Sequence, residues 1–490
     1  MARPTGLAAG LVLFVVLATL NSAGYRYGAS DQAFYVPAVI RHLHPEYYPR
    51  DAPLIDSQAR LTVADEAIAS IARVTRASLP ALFVVLYAGS LVLLACAAIA
   101  LGRIYFRTQM ATLTLFAGLT MRHAIAKTGT NTLEGYFHPR QLAFALGAWA
   151  VVSFLRGREI RATLFIVAAG LVHPTTALWY AVWLAVAFVI VNRRLVAPAV
   201  VTAFVGCAIA GWALTAGPLA GRLHRMDPEW LATLVSKDYL FPLEWSWTVW
   251  LINLSYPLLI VWLYEKRRAV GLVSTRETAV MVGSLSLFAL FVLSLGFNAA
   301  RFQLAVQLQP ARVFWMLDFL ATIYVVWALM EAGDASARRA RLVALTVCAL
   351  TVTRGAYVAL VAFPDRPMFA PGLTDNDWGR VMAWTRQSSP TSHWLADPMH
   401  AIWYGTSLRV AGERDVVVEA AKDDAIGMYD REIAMRTRDR VMAIGDFKTL
   451  TPERARALSA RYDVDFLVTE ERLELPVAFA SGKLTIYRLR

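Results

Sequence analysis

Long runs of apolar residues alternate with short polar segments along most of this 490-residue chain. Three of the runs, 79–101, 195–219 and 245–264, contain no charged residue. As helices, such runs are long enough to cross about 30 Å of hydrocarbon. The candidate spans are 7–23, 79–101, 108–121, 139–155, 160–173, 174–191, 195–216, 245–264, 277–296, 311–330 and 342–362. The pattern predicts a mainly α, polytopic membrane protein with about 11 transmembrane helices, of which the third and fifth are short enough to be re-entrant or broken.

Composition narrows the class of protein further. Apolar residues make up 57% of the chain and charged residues 17%, against about 45–50% and 25% in soluble domains. A soluble enzyme, a secreted disulfide scaffold and a disordered protein are therefore excluded. The net charge of +12 does not indicate nucleic acid as a partner, because the basic residues fall in short groups between apolar runs.

The basic groups also predict the orientation of the chain. With Arg3 on the cytoplasmic side, the loops after every second span should be cytoplasmic as well. Those loops are short and basic, with Arg103 and Arg107; Arg156, Arg158 and Arg161; Arg193 and Arg194; Lys266, Arg267 and Arg268; and Arg338, Arg339 and Arg341. We therefore predict a cytoplasmic amino terminus and an outer carboxyl-terminal region. The alanine- and arginine-rich composition favours the cytoplasmic membrane of a bacterium.

The chain changes character after residue 363. Pro364, Pro367 and Pro371 indicate a linker, and the charge density rises beyond them. Helices are predicted at 374–387, 426–440 and 452–462, and short strands at 393–396, 414–418, 465–469 and 484–489. The sequence thus predicts a transmembrane domain over 1–363, with a first outer loop at about 24–78, and a small extracytoplasmic α/β domain over 364–490.

The first outer loop opens with an acid close to the membrane boundary. Asp31 follows the first span and is flanked by aromatic residues. Partial desolvation there raises the basicity of a carboxylate, which suits general-base catalysis. The competing interpretation is that Asp31 or Ser30 caps a helix over 32–43. The loop continues to Arg50 and Asp51, which are candidate substrate-binding residues.

Polar residues also gather beside the fourth and fifth spans. Within the segment 134–141, Glu134, His138 and Arg140 offer donors and acceptors suited to a phosphate or a sugar. Ordinary anchoring at the membrane interface would explain the same segment. His173 lies directly before a proline at the end of the fifth span, and it is either a structural helix-end residue or a further member of this group.

Further charges lie near and inside the later spans. Arg301 and Arg312 lie at the outer boundary of the ninth and tenth spans, where they suit either a lipid-linked phosphate or plain headgroup contact. Asp318 and Arg354 lie roughly 10–12 Å deep in consecutive antiparallel spans, counted at 1.5 Å per residue. Because unpaired charge at that depth is costly, we predict a structural ion pair between them.

Several familiar motifs are missing from the sequence. It has no Walker A loop, no HExxH, no CxxC and no GxSxG, so ATP-driven transport and zinc hydrolysis lose support. Four outer histidines could join Asp31 or Asp51 in a divalent-metal site: His42, His44, His138 and His173. Their spacings match no known ligand pattern, so no metal ligand is assigned.

Five motifs stand out along the chain: GASDQAFY at 28–35, YPRD at 48–51, EGYFHPRQ at 134–141, GLVHP at 170–174 and PARVFW at 310–315. These motifs and their placement resemble the GT-C class of integral membrane glycosyltransferases, in a bacterial branch. The resemblance implies a GT-C-like fold with an outer carboxyl-terminal domain. It also implies transfer of a sugar from a polyprenyl-phosphate donor to a cell-envelope acceptor on the outer face.

The same resemblance implies roles for particular residues. Asp31 matches the functional acid of the first loop and would deprotonate the acceptor hydroxyl, whereas Arg140, Arg301 and Arg312 would hold the donor phosphate. Many members place two acids together in this loop, but here Gln32 follows Asp31. A divalent metal is therefore left open as a cofactor. The expected partners are a lipid-linked sugar donor and membrane lipids.

Two other functions remain open from the sequence. A transporter or flippase of a lipid-linked or small substrate would also have many spans and buried charge, but it would be expected to show paired repeats with interrupted helices at mid-depth. A non-catalytic membrane scaffold would instead use the outer domain to bind partners.

Overall fold

The computed structural model describes residues 4–59, 62–217, 220–333 and 336–490 of the chain. Arg3, which the predicted orientation uses, lies outside these residues. Positions 60–61 of the first loop and 218–219 of the apolar run at 195–219 lie outside them as well.

Helices dominate the first three quarters of the chain, with a few two-residue strands between them. In chain order they are α1 (Pro4–Asn21), β1 (Tyr25–Arg26), α2 (Gln32–Leu43), α3 (Ala52–Ala59), α4 (Ala64–Thr75), α5 (Leu79–Tyr105), α6 (Gln109–Gly118), β2 (Ala124–Ile125), β3 (Thr130–Asn131), α7 (Pro139–Leu155), α8 (Glu159–Val172), α9 (Pro174–Val191), α10 (Val196–Thr215), α11 (Pro228–Thr233), α12 (Trp247–Ala269), α13 (Thr275–Ala299), α14 (Gln303–Gln307), α15 (Val313–Glu331) and α16 (Ala337–Tyr357). Every predicted span coincides with one of these helices.

Fewer helices are able to cross a membrane than the sequence predicts. Among the described residues, 6 helical segments are long and apolar enough: Leu79–Tyr105, Pro174–Val191, Trp247–Ala269, Thr275–Ala299, Gln303–Glu331 and Ala337–Ala362. Helices α6 and α8 have 10 and 14 residues. At 1.5 Å per residue, they are only roughly 15 and 21 Å long. The chain is a polytopic membrane protein, but the described residues do not support the predicted number of about 11 transmembrane helices.

Close contacts between helices fix the position of α9, which begins directly after the candidate residue His173. A Cβ atom on Gly147 of α7 would lie 2.2 Å from the ring of Tyr180, and one on Gly283 of α13 would lie 2.5 Å from the carbonyl oxygen of Trp183. Only glycine permits this approach, as is common where membrane helices pack closely. Larger residues there would push α9 away from both neighbours.

The region after residue 363 forms a small α/β unit. Its elements are β4 (Phe369–Ala370), α17 (Asp377–Thr385), β5 (His393–Leu395), α18 (His400–Trp403), α19 (Leu408–Ala411), β6 (Asp415–Val416), α20 (Ala420–Gly427), α21 (Arg431–Ile444), α22 (Pro452–Tyr462), β7 (Phe466–Thr469), β8 (Val477–Ser481) and β9 (Leu484–Arg488). The sheet order is β6-β5-β7-β9-β8. Strand β5 is parallel to β6 and β7, whereas β9 is antiparallel to β7 and β8.

Two local features of this unit differ from the sequence prediction. The helix predicted at 426–440 is broken between α20 and α21, because Asp430 caps α21 and accepts hydrogen bonds from the backbone of Glu432 and Ile433. Strand β8 was not predicted. It is a short edge strand with a register irregularity between Val477 and Phe479, so it lacks a clean alternation of apolar and polar residues.

Buried ion pairs join this unit to the first loop. The Asp51 carboxylate is fully buried and accepts hydrogen bonds from Arg409 Nε at 2.8 Å and from Arg436 Nη2 at 2.5 Å. Arg409 also contacts Asp423 at 2.6 Å. A buried carboxylate must be paired and hydrogen-bonded, and Asp51 obtains both from the carboxyl-terminal unit. The neighbouring Arg50 pairs with Asp463.

The predicted ion pair between Asp318 and Arg354 is not formed. Asp318 Oδ2 lies 3.1 Å from His123 Nδ1, and Arg354 Nη1 donates to the carbonyl and side-chain oxygens of Asn21 at 2.7 and 2.8 Å. Equal depth in two spans does not bring two side chains together. The direction in which each side chain points also depends on how its helix is oriented about its own axis.

We expect Arg409→Gln to destabilise the folded chain strongly. The substitution leaves Asp51, Asp423 and Glu419 buried with less compensating charge, which costs about 3–5 kcal/mol when one partner of a buried pair is lost. Arg461→Gln is the matched control, because its pair with Asp439 is exposed and contributes less than about 1 kcal/mol. Denaturant unfolding and proteolytic release of the carboxyl-terminal unit measure both variants, and equal stability of the two would contradict the docking role.

Candidate active site

A cavity of ≈ 750 Å³ lies where the first loop, the ends of several membrane helices and α20 meet. Its size is typical of small-molecule sites. Six residues singled out from the sequence line it: Asp31, Glu134, His138, Arg140, His173 and Arg312. Segments distant in sequence therefore contribute to one site.

Asp31 is held by two donors. Its Oδ1 accepts a hydrogen bond from Lys422 Nζ at 3.0 Å, and its Oδ2 lies 3.1 Å from His138 Nε2. Asp31 precedes the first turn of α2, but its side chain makes no capping hydrogen bond, so the interpretation of Asp31 as a side-chain cap is wrong.

These contacts also change the acidity expected for Asp31. Burial by itself would raise the pKa of this carboxyl, but Lys422, His138 and Arg140 together hold it well below its ordinary value. The expectation of a carboxylate made basic by desolvation is therefore wrong for this arrangement. Asp31 is a stable anion as long as Lys422 remains in contact with it.

His138 has a fixed tautomer. Its Nδ1 accepts a hydrogen bond from the backbone N–H of Arg140 at 3.1 Å, and Pro139 occupies the first position of α7. Burial first, and the charge of Arg140 next, lower the pKa of His138 to about 4. The ring is therefore neutral near pH 7, with its proton on Nε2, from which it donates to Asp31.

His173 begins α9 in the same way. Its Nδ1 lies 3.2 Å from the backbone nitrogen of Thr176 and 2.9 Å from its hydroxyl oxygen, and Pro174 follows. Burial, followed by the charge of Arg312, lowers the pKa of His173 well below its ordinary value. The rings of His138 and His173 lie 6.2 Å apart. His173 therefore caps a helix and also lines the cavity.

Cationic side chains outnumber acids around the cavity. The cations in the lining are Arg122, Arg140, Arg222, Lys237, Arg312 and Lys422, and the acids are Asp31, Asp65 and Glu134. Arg140 Nη2 donates to Glu134 at 2.6 Å. Arg312 forms no ion pair among the described residues, and its Nε atom is buried without a hydrogen-bond partner. Such a guanidinium suits an anionic ligand.

One side of the cavity is apolar. Phe34, Ala38, Ile55, Leu304 and Leu308 belong to its lining. At the boundary the Thr62 hydroxyl contacts the carbonyl oxygens of Leu171 and Val172, so the amino end of α4 packs against the end of α8. Cations on one side and apolar side chains on the other form an amphipathic cavity.

Several lining residues were not predicted. The most informative are Lys422, Lys237, Tyr239 and Tyr429, which lie far from Asp31 in sequence. Lys422 begins the charged stretch 422–424, which has the pattern of an ordinary solvated helix. Only the docking of the carboxyl-terminal unit brings it to Asp31, 391 residues away in sequence.

Three predicted substrate-binding residues do not line the cavity. Arg50 and Asp51 belong to the docking contacts described above. Arg301 pairs with Glu244 at 2.5 Å, and its guanidinium lies 4.3 Å from the ring centroid of Phe241. A carboxylate and an aromatic face thus already satisfy its charge.

The structure does not gather the four outer histidines into a metal site. Within the described ranges, the group of potential ligands whose atoms all lie within 4.8 Å is His42, Asp65 and Glu66. The carboxylates of Asp31 and Glu134 are paired with Lys422 and Arg140 instead. Asp31 and Glu134 therefore do not offer a metal ion a pair of free carboxylates.

Comparisons with known proteins give little further guidance. No family model matches the chain, and no curated protein matches it either. Among solved structures, the chain is similar to the Archaeoglobus fulgidus oligosaccharyltransferase tethered to an acceptor peptide that contains the NVT sequon. The similarity covers 95% of this chain and 69% of that chain, with 12% sequence identity and a TM-score of 0.46. Similarity at this level does not establish an activity.

We expect His138 by itself to reduce the stability of the folded chain as the pH falls from 6.5 towards 4. The unfolded His138 binds a proton near pH 6.5, whereas the folded residue does so only near pH 4. The unfolded state therefore holds more protons across this interval, and lowering the pH favours unfolding by roughly 3 kcal/mol at 1.36 kcal/mol per pH unit.

Denaturant unfolding at several pH values measures this effect. His138→Gln should remove this contribution and so change the slope of stability against pH, whereas His44→Gln, at an exposed histidine, should leave the slope unchanged. An unaltered slope in His138→Gln would show that this imidazole is not held neutral.

Proposed function

We propose that the chain is a membrane glycosyltransferase that transfers a sugar from a polyprenyl-phosphate-linked donor to an envelope acceptor, on the outer face of a bacterial cytoplasmic membrane. The observation that carries the proposal is that one amphipathic cavity contains both the unpaired guanidinium of Arg312 and the anionic carboxylate of Asp31. The first would bind a phosphate, and the second would receive a proton.

The donor would bind through its two chemically different parts. Its phosphate would lie against Arg312 and Arg140, because guanidinium groups bind phosphate oxygens in a bidentate manner. Its polyprenyl chain would follow the apolar lining at Phe34, Ile55 and Leu308. A lipid-linked phosphate uses both surfaces, whereas a free sugar would use neither the cations nor the apolar wall fully.

Binding of the donor would also activate Asp31. The phosphate competes for the ammonium of Lys422, which otherwise holds Asp31 at 3.0 Å. Without that cation, the pKa of the Asp31 carboxyl would rise, because Lys422 is the largest of the influences that lower it. Asp31 would then be a stronger base with the donor bound than without it.

The chemical step would be a direct displacement at the anomeric carbon. The acceptor hydroxyl oxygen forms a bond to this carbon while the bond from the carbon to the phosphate oxygen breaks. The electron pair leaves with the lipid phosphate, which Arg312 and Arg140 stabilise, and the hydroxyl proton passes to Asp31. His138 holds the carboxylate in position through Nε2.

The transporter alternative expects a polar route between the two ends of the bundle. The polar groups that line the cavity lie at one end only. Towards the other end of the bundle, the buried pair of Arg267 Nε and Glu277 Oε1, 2.8 Å apart, satisfies its own charges. This distribution favours chemistry at one face.

Two variants separate donor binding from chemistry in nanodisc-reconstituted protein. Arg312→Gln should weaken binding of farnesyl phosphate about 10- to 100-fold, the value of a charge-assisted hydrogen bond, without affecting binding of farnesol. Asp31→Asn should retain binding but lower sugar transfer from a panel of polyprenyl-phosphate monosaccharides to membrane acceptors by about 10²- to 10⁴-fold.

Arg301→Gln is the control, because this arginine lies outside the cavity, and it should match the wild type in both assays. Equal binding of farnesyl phosphate and farnesol would contradict the proposed donor site. Tight phosphate binding without any sugar transfer in the wild type would favour a transporter or a scaffold.

A further inference from the structure

A second cavity, of ≈ 400 Å³, lies between the end of the last membrane helix and the carboxyl-terminal unit. Its lining includes Arg26 in β1, the linker that follows Phe363, and residues 402–406 at the end of α18 and just after it. None of its lining residues belongs to the large cavity. It is therefore a distinct site that the proposed transferase reaction does not use.

Two guanidinium groups share this cavity without a counter-ion. Arg26 and Arg366 both line it, and neither forms an ion pair with any described carboxylate. The Nε atom of Arg26 is buried and has no hydrogen-bond partner. Burial, and next the charge of Arg366, lower the pKa of Arg26 to about 10. Asp365 is the one acid in the lining, so the cavity has an excess of positive charge.

The rim of the cavity is apolar and exposed. Ile402 and Trp403 are 52% and 64% exposed although they belong to the carboxyl-terminal unit. Across the cavity lies Phe363, whose ring packs 3.9 Å from the guanidinium carbon of Arg366. Just before it, Leu360 and Val361 are exposed at the end of a candidate span. Tryptophan beside an apolar helix end is typical of a membrane–water interface.

We propose that this cavity binds the headgroup of an anionic glycerophospholipid. The lipid phosphate would lie between Arg26 and Arg366, and the acyl chains would pass along Phe363, Ile402 and Trp403 into the bilayer. A free phosphate would neutralise the guanidinium groups but leave the apolar rim without a partner. The combination of charge and exposed apolar surface therefore selects a lipid, which would hold the carboxyl-terminal unit against the membrane.

Photoaffinity labelling tests this site directly. The full-length protein is reconstituted in nanodiscs that contain a photoreactive phosphatidylglycerol, irradiated, digested and mapped by mass spectrometry. Adducts are expected in the segments 360–374 and 400–406. Arg26→Gln combined with Arg366→Gln should reduce them about 25-fold, since each basic side chain near an anionic lipid contributes about five-fold. Labelling elsewhere on the membrane helices provides the internal reference.

Three further variants separate recognition from folding. Arg26→Lys with Arg366→Lys keeps both charges and should restore most of the labelling, and Arg472→Gln, at an exposed arginine outside the cavity, should not change it. Trp403→Ala removes an exposed rim residue and should lower labelling without affecting folding. Equal labelling by photoreactive phosphatidylcholine would overturn the proposal. Displacement of the probe by inorganic phosphate would also overturn it, since it would identify a site for free phosphate.

Discussion

A carboxylate withdrawn from water needs a cation, and two carboxylates of the first loop, fully buried Asp51 and half-buried Asp31, obtain theirs from the carboxyl-terminal unit. Asp51 is paired with Arg409, and Asp31 is paired with Lys422. The first pair is deep in the interface and fixes the unit in place. The second pair lies at the edge of the cavity, where a ligand can reach both partners. In the proposed reaction, docking and catalysis would thus be coupled, because the unit that Asp51 anchors also supplies Lys422, the cation that contacts Asp31.

The cavity gathers groups whose pKa values are shifted for different reasons. His138 and His173 are neutral because they are buried near arginines, and each carries its proton on Nε2 because a helix start uses Nδ1. Asp31 remains charged because cations outweigh the effect of burial. The unpaired guanidinium suits such a site to bind a phosphate. In the proposed reaction, the bound phosphate would then draw Lys422 away from Asp31, so that the Asp31 carboxylate could act as a base.

Much of the site could be predicted because it follows from the order of the apolar runs. Asp31, His138, His173 and Arg312 each lie beside the end of a span, and alternation along the chain brings these ends to one face. The His-Pro pairs at 138–139 and 173–174 also mark helix starts. Lys422 could not be found this way, because its position depends on tertiary docking. The depth of a charged residue within its span also failed to predict its ion-pair partner. Asp318 and Arg354, counted at equal depth, contact different neighbours.

The most direct test is a structure of the full-length protein in a lipid bilayer with a polyprenyl-phosphate analogue bound. The distances to measure are those from the phosphate to Arg312 and Arg140, and from Lys422 Nζ to the Asp31 carboxylate. We predict the phosphate within about 4 Å of Arg312, as for other close ion pairs, with Lys422 drawn from Asp31 towards it. A phosphate bound elsewhere, or an unbroken contact between Lys422 and Asp31 beside the bound donor, would contradict this mechanism.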